Sequence, residues 1–345
     1  MIAPIVALTL AFASEIEPPG KLETLASKDA ILTDAGRKKE IPVAAWAPKT
    51  PGSYPVIVFS HGAGGSGAQA AGRLGPYWAS HGYVVVAPTH ADSLALRRKR
   101  GEDVRDGVAE TLKSIRGENG DQSEVWRDRV RDVRFLLDAA ADLEKRIPEI
   151  AGKADWSRVG IAGHSLGAYV AQVAGGAKVD FAGSGKLESL AEPRFKAVVV
   201  LSGQGAGQLG LVADSWIELK SPMLVVTGQH DRGAKGQGPE WRREPFAGAA
   251  AGDKYFASFE GAQHGSFTGG MLVPGLLLKR KERPAGILGR PSSPEDVEKR
   301  VFRGVQLATL HFWDAYLKGD SGGKTWLKDD SLLNAVDGKA SVERR

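Results

Sequence analysis

Short stretches of this chain are apolar without interruption, and the longer stretches between them carry apolar residues at helical spacing. Pro55-Val56-Ile57-Val58-Phe59-Ser60 and Tyr83-Val84-Val85-Val86-Ala87 read as strands covered on both faces. Residues 30–33 and 41–46 predict two earlier strands around the turn Asp34-Ala35-Gly36, and 157–162, 196–201, 223–227 and 254–259 predict further ones. Over 124–147, apolar residues recur at Trp126, Val130, Val133, Leu137, Ala140 and Ile147. That period predicts a helix capped by Ser123 and stopped by Pro148. Over 294–317, Val297, Val301, Val305, Ala308 and Phe312 form one face, with Ser293, Pro294 and Asp296 as start signals. Strands alternating with helices predict an α/β fold with a mostly parallel sheet flanked by helices.

Two polar insertions interrupt this pattern, residues 91–120 and 268–293. Each follows the C-terminal end of a strand, where α/β sheets bind ligands, so each is a candidate lid or cleft wall; surface decoration is the alternative. Residues 2–12 are apolar and close on Ala11-Phe12-Ala13, which resembles a signal-peptide cleavage site after Ala13. This predicts a signal peptide over 1–13, a linker over 14–27, the domain over 28–320 and a C-terminal tail over 321–345. The expected location is periplasmic or secreted, with cytoplasmic as the alternative. No other segment approaches membrane-spanning length.

Composition narrows the chemistry only a little. The chain has 345 residues, 42% of them hydrophobic, with a formal charge of +5. That suits one large domain and permits anionic partners without demanding them. The basic runs at 97–100 and 279–283 lack interleaved aromatics and any nucleic-acid motif, so no nucleic-acid partner is expected. Cysteine is absent, which excludes disulfides and thiolate metal sites.

The chemistry lies in Gly163-His164-Ser165-Leu166-Gly167. This G-x-S-x-G stretch follows a predicted strand and precedes a predicted helix, the context of a serine nucleophile on a strained elbow. A serine hydroxyl needs a base, and the base needs an orienting acid. Asp231 follows the strand at 223–227 and His264 follows the last predicted strand, so both meet the elbow at one sheet edge. Ser165, Asp231 and His264 are the candidate triad, in the Ser, acid, His order of α/β-hydrolases. His311, inside a helix, reads as structural. The Gly-rich turn His61-Gly62-Ala63-Gly64-Gly65 offers the Ala63 N–H to pair with that of Leu166 as an oxyanion hole. A phosphate loop would need G-K-[ST], which is missing. Gly62, Gly64 and Gly67 match a dinucleotide spacing without its acidic partner. His90 and Asp92 lie near His61 and read as a loop network rather than a metal site. No cofactor or metal is expected.

Phe59-Ser60-His61-Gly62-Ala63-Gly64-Gly65, Ser80-His81-Gly82-Tyr83-Val84-Val85, Arg129-Val130-Arg131-Asp132-Val133 and the elbow together resemble the platelet-activating-factor acetylhydrolase and dienelactone hydrolase group of α/β-hydrolases, over about residues 28–320. The resemblance implies an α/β-hydrolase fold and metal-free hydrolysis of esters with short or oxidised acyl groups. The substrate class is then a small-molecule, lipid or polyester ester. An acyltransferase using the same triad, or a non-catalytic binding protein on this scaffold, are the alternatives. One departure stands out. In the acetylhydrolases the acid follows the strand directly after the elbow helix, where this chain has Leu201-Ser202-Gly203-Gln204 and no carboxylate.

Overall fold

Strands whose residues are apolar on both sides need cover on both sides, and the computed structural model, which describes residues 17–27, 29–269 and 295–345, supplies it. The chain runs β1 (Thr24–Ala26), β2 (Ala30–Asp34), β3 (Lys39–Pro48), β4 (Tyr54–Ser60), α1 (Gly67–Ala70), α2 (Leu74–Ser80), β5 (Val84–Pro88), α3 (Leu94–Lys99), α4 (Gly107–Arg116), α5 (Ser123–Asp138), α6 (Ala140–Arg146), β6 (Ala154–His164) and α7 (Leu166–Ala174). A small hairpin of β7 (Lys178–Val179) and β8 (Glu188–Ser189) follows. Then come β9 (Phe195–Leu201), β10 (Met223–Gly228), α8 (Pro239–Gly248), β11 (Lys254–Phe259), α9 (Glu295–Trp313), α10 (Ser321–Lys328), α11 (Ser331–Ala335) and β12 (Ala340–Arg344).

The main sheet has the order β1-β3-β5-β4-β6-β9-β10-β11-β12, with β2 also on β3. Neighbours from β5 to β11 are parallel; β1, β2 and β5 pair antiparallel with β3, and β12 with β11. Val56 and Val58 of β4 point into the core beneath α5, α6, α7 and α8. Ile57 and Phe59 point into the opposite core, beneath α2, α9, α10 and α11. The period of two thus fills both layers from one strand. The parallel strands end at one edge of the sheet, and the loops that leave them there carry the candidate chemistry.

Some expectations need correction. Residues 321–345 are not a tail: they form α10, α11 and β12, and Val342 packs against the α9-side core. Strand β12 covers the edge of β11, which would otherwise present unpaired backbone groups. The linker read over 14–27 holds β1, which pairs with β3. The single helix read over 124–147 is interrupted at Ala139 between α5 and α6. Its start is held by Asp121, whose carboxylate accepts the Ser123 N–H at 2.8 Å, rather than by Ser123 itself. The insertion 91–120 is largely helical, as α3 and α4. The signal peptide over 1–13, the start signals Ser293 and Pro294, and nearly all of the insertion 268–293 lie outside the described residues.

Candidate active site

The elbow between β6 and α7 is built by close backbone contact. Ser165 has φ 56° and ψ −120°, a strained conformation for a residue with a side chain. A Cβ added at Gly163 would lie 2.1 Å from the Gly167 carbonyl oxygen, and one at Gly167 would lie 1.9 Å from that of Ser60. Only glycine fits at either position. The turn leaves the Ser165 hydroxyl at the N-terminus of α7, where the helix dipole favours negative charge.

The hydroxyl lies against the candidate base. Ser165 Oγ lies 2.9 Å from His264 Nε2, and His264 Nδ1 lies 3.0 Å from Asp231 Oδ1. With Nδ1–H donated to Asp231, Nε2 is free to accept the serine proton. Asp231 is fully buried, and Thr227 Oγ1 donates to its Oδ2 at 3.0 Å. Burial alone would raise its pKa, but the Arg242 guanidinium and the His264 contact hold it down to about 2. The carboxylate is therefore ionised at neutral pH.

Further residues at this junction escaped the sequence reading. Ser202 Oγ is 2.7 Å from His264 Nδ1. Arg242, on α8, pairs with Asp231 at 2.8 Å. His164, the variable residue of the elbow, donates Nε2–H to the His264 carbonyl at 2.7 Å, and so ties the base's backbone to the nucleophile's neighbour. Burial, then the nearby His264, depress the His164 imidazole well below its ordinary value and keep it neutral. Nothing in the sequence pattern signalled Arg242, whose helix α8 was not read as an element. Ser202 was visible only as a missing carboxylate.

The turn after β4 faces the elbow. A Cβ at Gly62 would stand 3.4 Å from the Ser165 Cβ, so the two backbones adjoin. Neither the Ala63 nor the Leu166 N–H has an acceptor among the described residues. The polar groups around Ala63 are all held. Buried Arg129 donates to the carbonyls of His61 at 2.7 Å and Gly62 at 3.3 Å. Arg129 also pairs with Asp92 at 2.7 Å, and Asp92 accepts the Gly64 N–H at 3.1 Å. His61 Nδ1 donates to the Gly62 carbonyl, and its Nε2 accepts the His90 N–H. His90 and Asp92 thus form the loop network expected, and no cluster of metal-binding side chains occurs among the described residues.

A second Ser–His–Asp chain exists. Ser60 Oγ is 2.9 Å from His90 Nε2, and His90 Nδ1 is 2.8 Å from Asp132 Oδ2. All three are buried to 0% exposure, so no substrate reaches Ser60. Ser165 and His264 instead border a narrow cleft lined by Leu112, Ile115, Gln204, Gln208 and Trp241. Leu112 and Ile115 come from α4, so the first insertion supplies a cleft wall. Gln204 Oε1 and both polar atoms of Gln208 are buried with no hydrogen-bond partner among the described residues. Of the other histidines weighed, His230 is exposed, and His311 stacks on Trp326 with ring centres 4.3 Å apart.

Comparison with known proteins gives similarity over part of the chain and in fold. The family model of platelet-activating factor acetylhydrolase, isoform II, matches residues 26–136, which hold the Ala63 turn and Arg129 and end before Ser165. A platelet-activating factor acetylhydrolase from Cavia porcellus is 31% identical over 140 residues, covering 34% of this chain. The match takes in 31% of that relative's own length. A solved structure from Klebsiella pneumoniae subsp. pneumoniae, assigned as a dienelactone hydrolase, superposes with a TM-score of 0.53 at 16% identity. It covers 85% of this chain and 100% of its own. By its sheet and its elbow the chain has the α/β-hydrolase fold, and over residues 26–136 it is similar to the platelet-activating factor acetylhydrolases.

Proposed function

We propose that the protein is a serine ester hydrolase. The observation that carries this reading is the 2.9 Å contact between Ser165 Oγ and His264 Nε2 at the floor of an open cleft. Ser165 Oγ attacks the ester carbonyl carbon while its proton passes to His264 Nε2. The Ala63 and Leu166 N–H groups bind the tetrahedral oxyanion, each such donor typically contributing about 10²–10³ in rate. The C–O bond to the alcohol breaks, and the alcohol leaves with the proton from His264. Water then attacks the acyl-enzyme, with His264 as base, and releases the acid and free Ser165. Asp231 keeps the ring in the productive tautomer.

The substrates are esters of short acyl groups. Leu112, Ile115 and Trp241 crowd the cleft beside Ser165 and leave little free space, which suits a short acyl group. Small molecules, truncated lipids and polyester chain ends all present such groups. Export of the protein accords with these substrates and rests on residues 1–13. Among the described residues no helix is long and apolar enough to cross a membrane.

The test is turnover of p-nitrophenyl acetate and butyrate by the wild type and by Ser165→Ala. Loss of turnover in the variant is expected; equal turnover refutes the reading. Added alcohol acceptors in the same assay separate hydrolysis from acyl transfer, and a binding protein turns over neither ester.

A further inference from the structure

Arg242 occupies the junction between the acid and the base. Its Nε is 2.8 Å from Asp231 Oδ1 and its Nη2 is 3.1 Å from His264 Nδ1, with a side chain only 2% exposed. The same guanidinium is fixed by backbone. Nη1 donates to the carbonyls of Ser202 and Gly203, and Nη2 donates to that of Arg232. The cation is therefore locked between the loops that follow β9 and β10. It also borders the cleft, with its side chain buried.

This location changes what the acid can do. A carboxylate next to a histidine stabilises the imidazolium, which raises the ring's affinity for protons. A buried guanidinium paired with that carboxylate cancels the charge, and its closeness to Nδ1 opposes a second positive charge on the ring. We propose that Arg242 is a positioning residue that neutralises Asp231 and holds His264 in its uncharged, proton-accepting form, so that the site stays active into the acid range. This rests on the ester-hydrolase reading, since it concerns the base of that reaction.

The other groups facing the ring do not supply the missing negative charge. His164 from β6 is neutral, Ser202 from the β9 loop is uncharged, and Arg232, which lines the same cleft, carries a guanidinium. The direction follows. General-base activity is lost as the ring takes up a second proton, so a cation that opposes that proton moves the acid limb of the rate profile down. Removing Arg242 leaves Asp231 unbalanced and moves the limb up.

The experiment measures the rate of Ser165 labelling by a fluorophosphonate, and p-nitrophenyl acetate turnover, across the acid and neutral range. The wild type, Arg242→Met and Arg242→Lys are compared. In Arg242→Met the acid limb moves up by about 1–3 pH units, the shift an opposite charge at this range produces. In Arg242→Lys, which keeps the cation, the limb stays near the wild type even where plateau activity falls. A purely structural role would lower the rate equally at all pH values, and an unmoved limb in a folded Arg242→Met overturns the proposal. Where Arg242→Met fails to fold, Arg242→Gln is read in the same way: a raised limb supports the proposal and an unmoved one overturns it. Absence of any Ser165 labelling defeats the hydrolase reading itself; labelling with an unmoved limb defeats only the role of Arg242.

Discussion

The hydroxyl of Ser202 lies 2.7 Å from His264 Nδ1, inside the 3.0 Å that separates the same nitrogen from Asp231. Two adjacent strands, β9 and β10, thus deliver a side chain to one ring nitrogen, and only the second delivers a carboxylate. Ser202 has φ 54°, a region that aspartate tolerates better than most residues. Position 202 should therefore accept the acid. Asp231→Asn is expected to lower kcat by about 10²–10⁴ with the fold intact. Adding Ser202→Asp to that variant should restore at least about tenfold, which is 1.4 kcal/mol of barrier. A double variant no faster than Asp231→Asn contradicts this geometry.

The fold, and the elbow that carries the candidate triad, were legible because their causes are local. Uninterrupted apolar runs specify two-sided strands, and Gly163 and Gly167 mark a turn that no other residue can make. The end of the chain was not legible. Strand β12 alternates polar and apolar residues weakly, as an edge strand does, and its pairing with β11 is decided by tertiary contact. Arg242 was invisible for a related reason. It sits in a short helix with a proline inside, and its partners lie on loops up to 40 residues away. The second constellation, Ser60–His90–Asp132, shows that residue types and distances alone do not mark a nucleophile; burial separates it from Ser165.

Arg129 and Asp92 should govern the oxyanion turn. Asp92→Asn keeps an acceptor for the Gly64 N–H but leaves Arg129 buried without a countercharge. Breaking such a pair typically costs about 3–5 kcal/mol of stability. Urea unfolding should show that loss. Kinetics of the folded variant should show a fall in kcat with little change in KM, since the Ala63 N–H acts on the transition state rather than on bound substrate. A raised KM at constant kcat would argue against this role.

Acid should destabilise the protein through Asp132. Burial would raise its pKa, but the His90 and Lys39 contacts hold it at about 2, below its ordinary 3.8. A carboxylate depressed in the folded state stabilises above its unfolded value, and that contribution is lost as pH falls from 3.8 towards 2. The contribution is on the order of 2 kcal/mol. Urea midpoints should hold steady above this window and drop within it, and Asp132→Asn should flatten the drop while lowering the midpoint throughout. An equally steep drop in Asp132→Asn would show that other carboxylates control it.

The most direct test is where a fluorophosphonate attaches at neutral pH, read by mass spectrometry of the digested protein. The account predicts one adduct per chain, on Ser165 and not on the sealed Ser60, slowed by orders of magnitude in His264→Ala. No adduct, an adduct on another residue, or an adduct formed equally fast without His264 would contradict it.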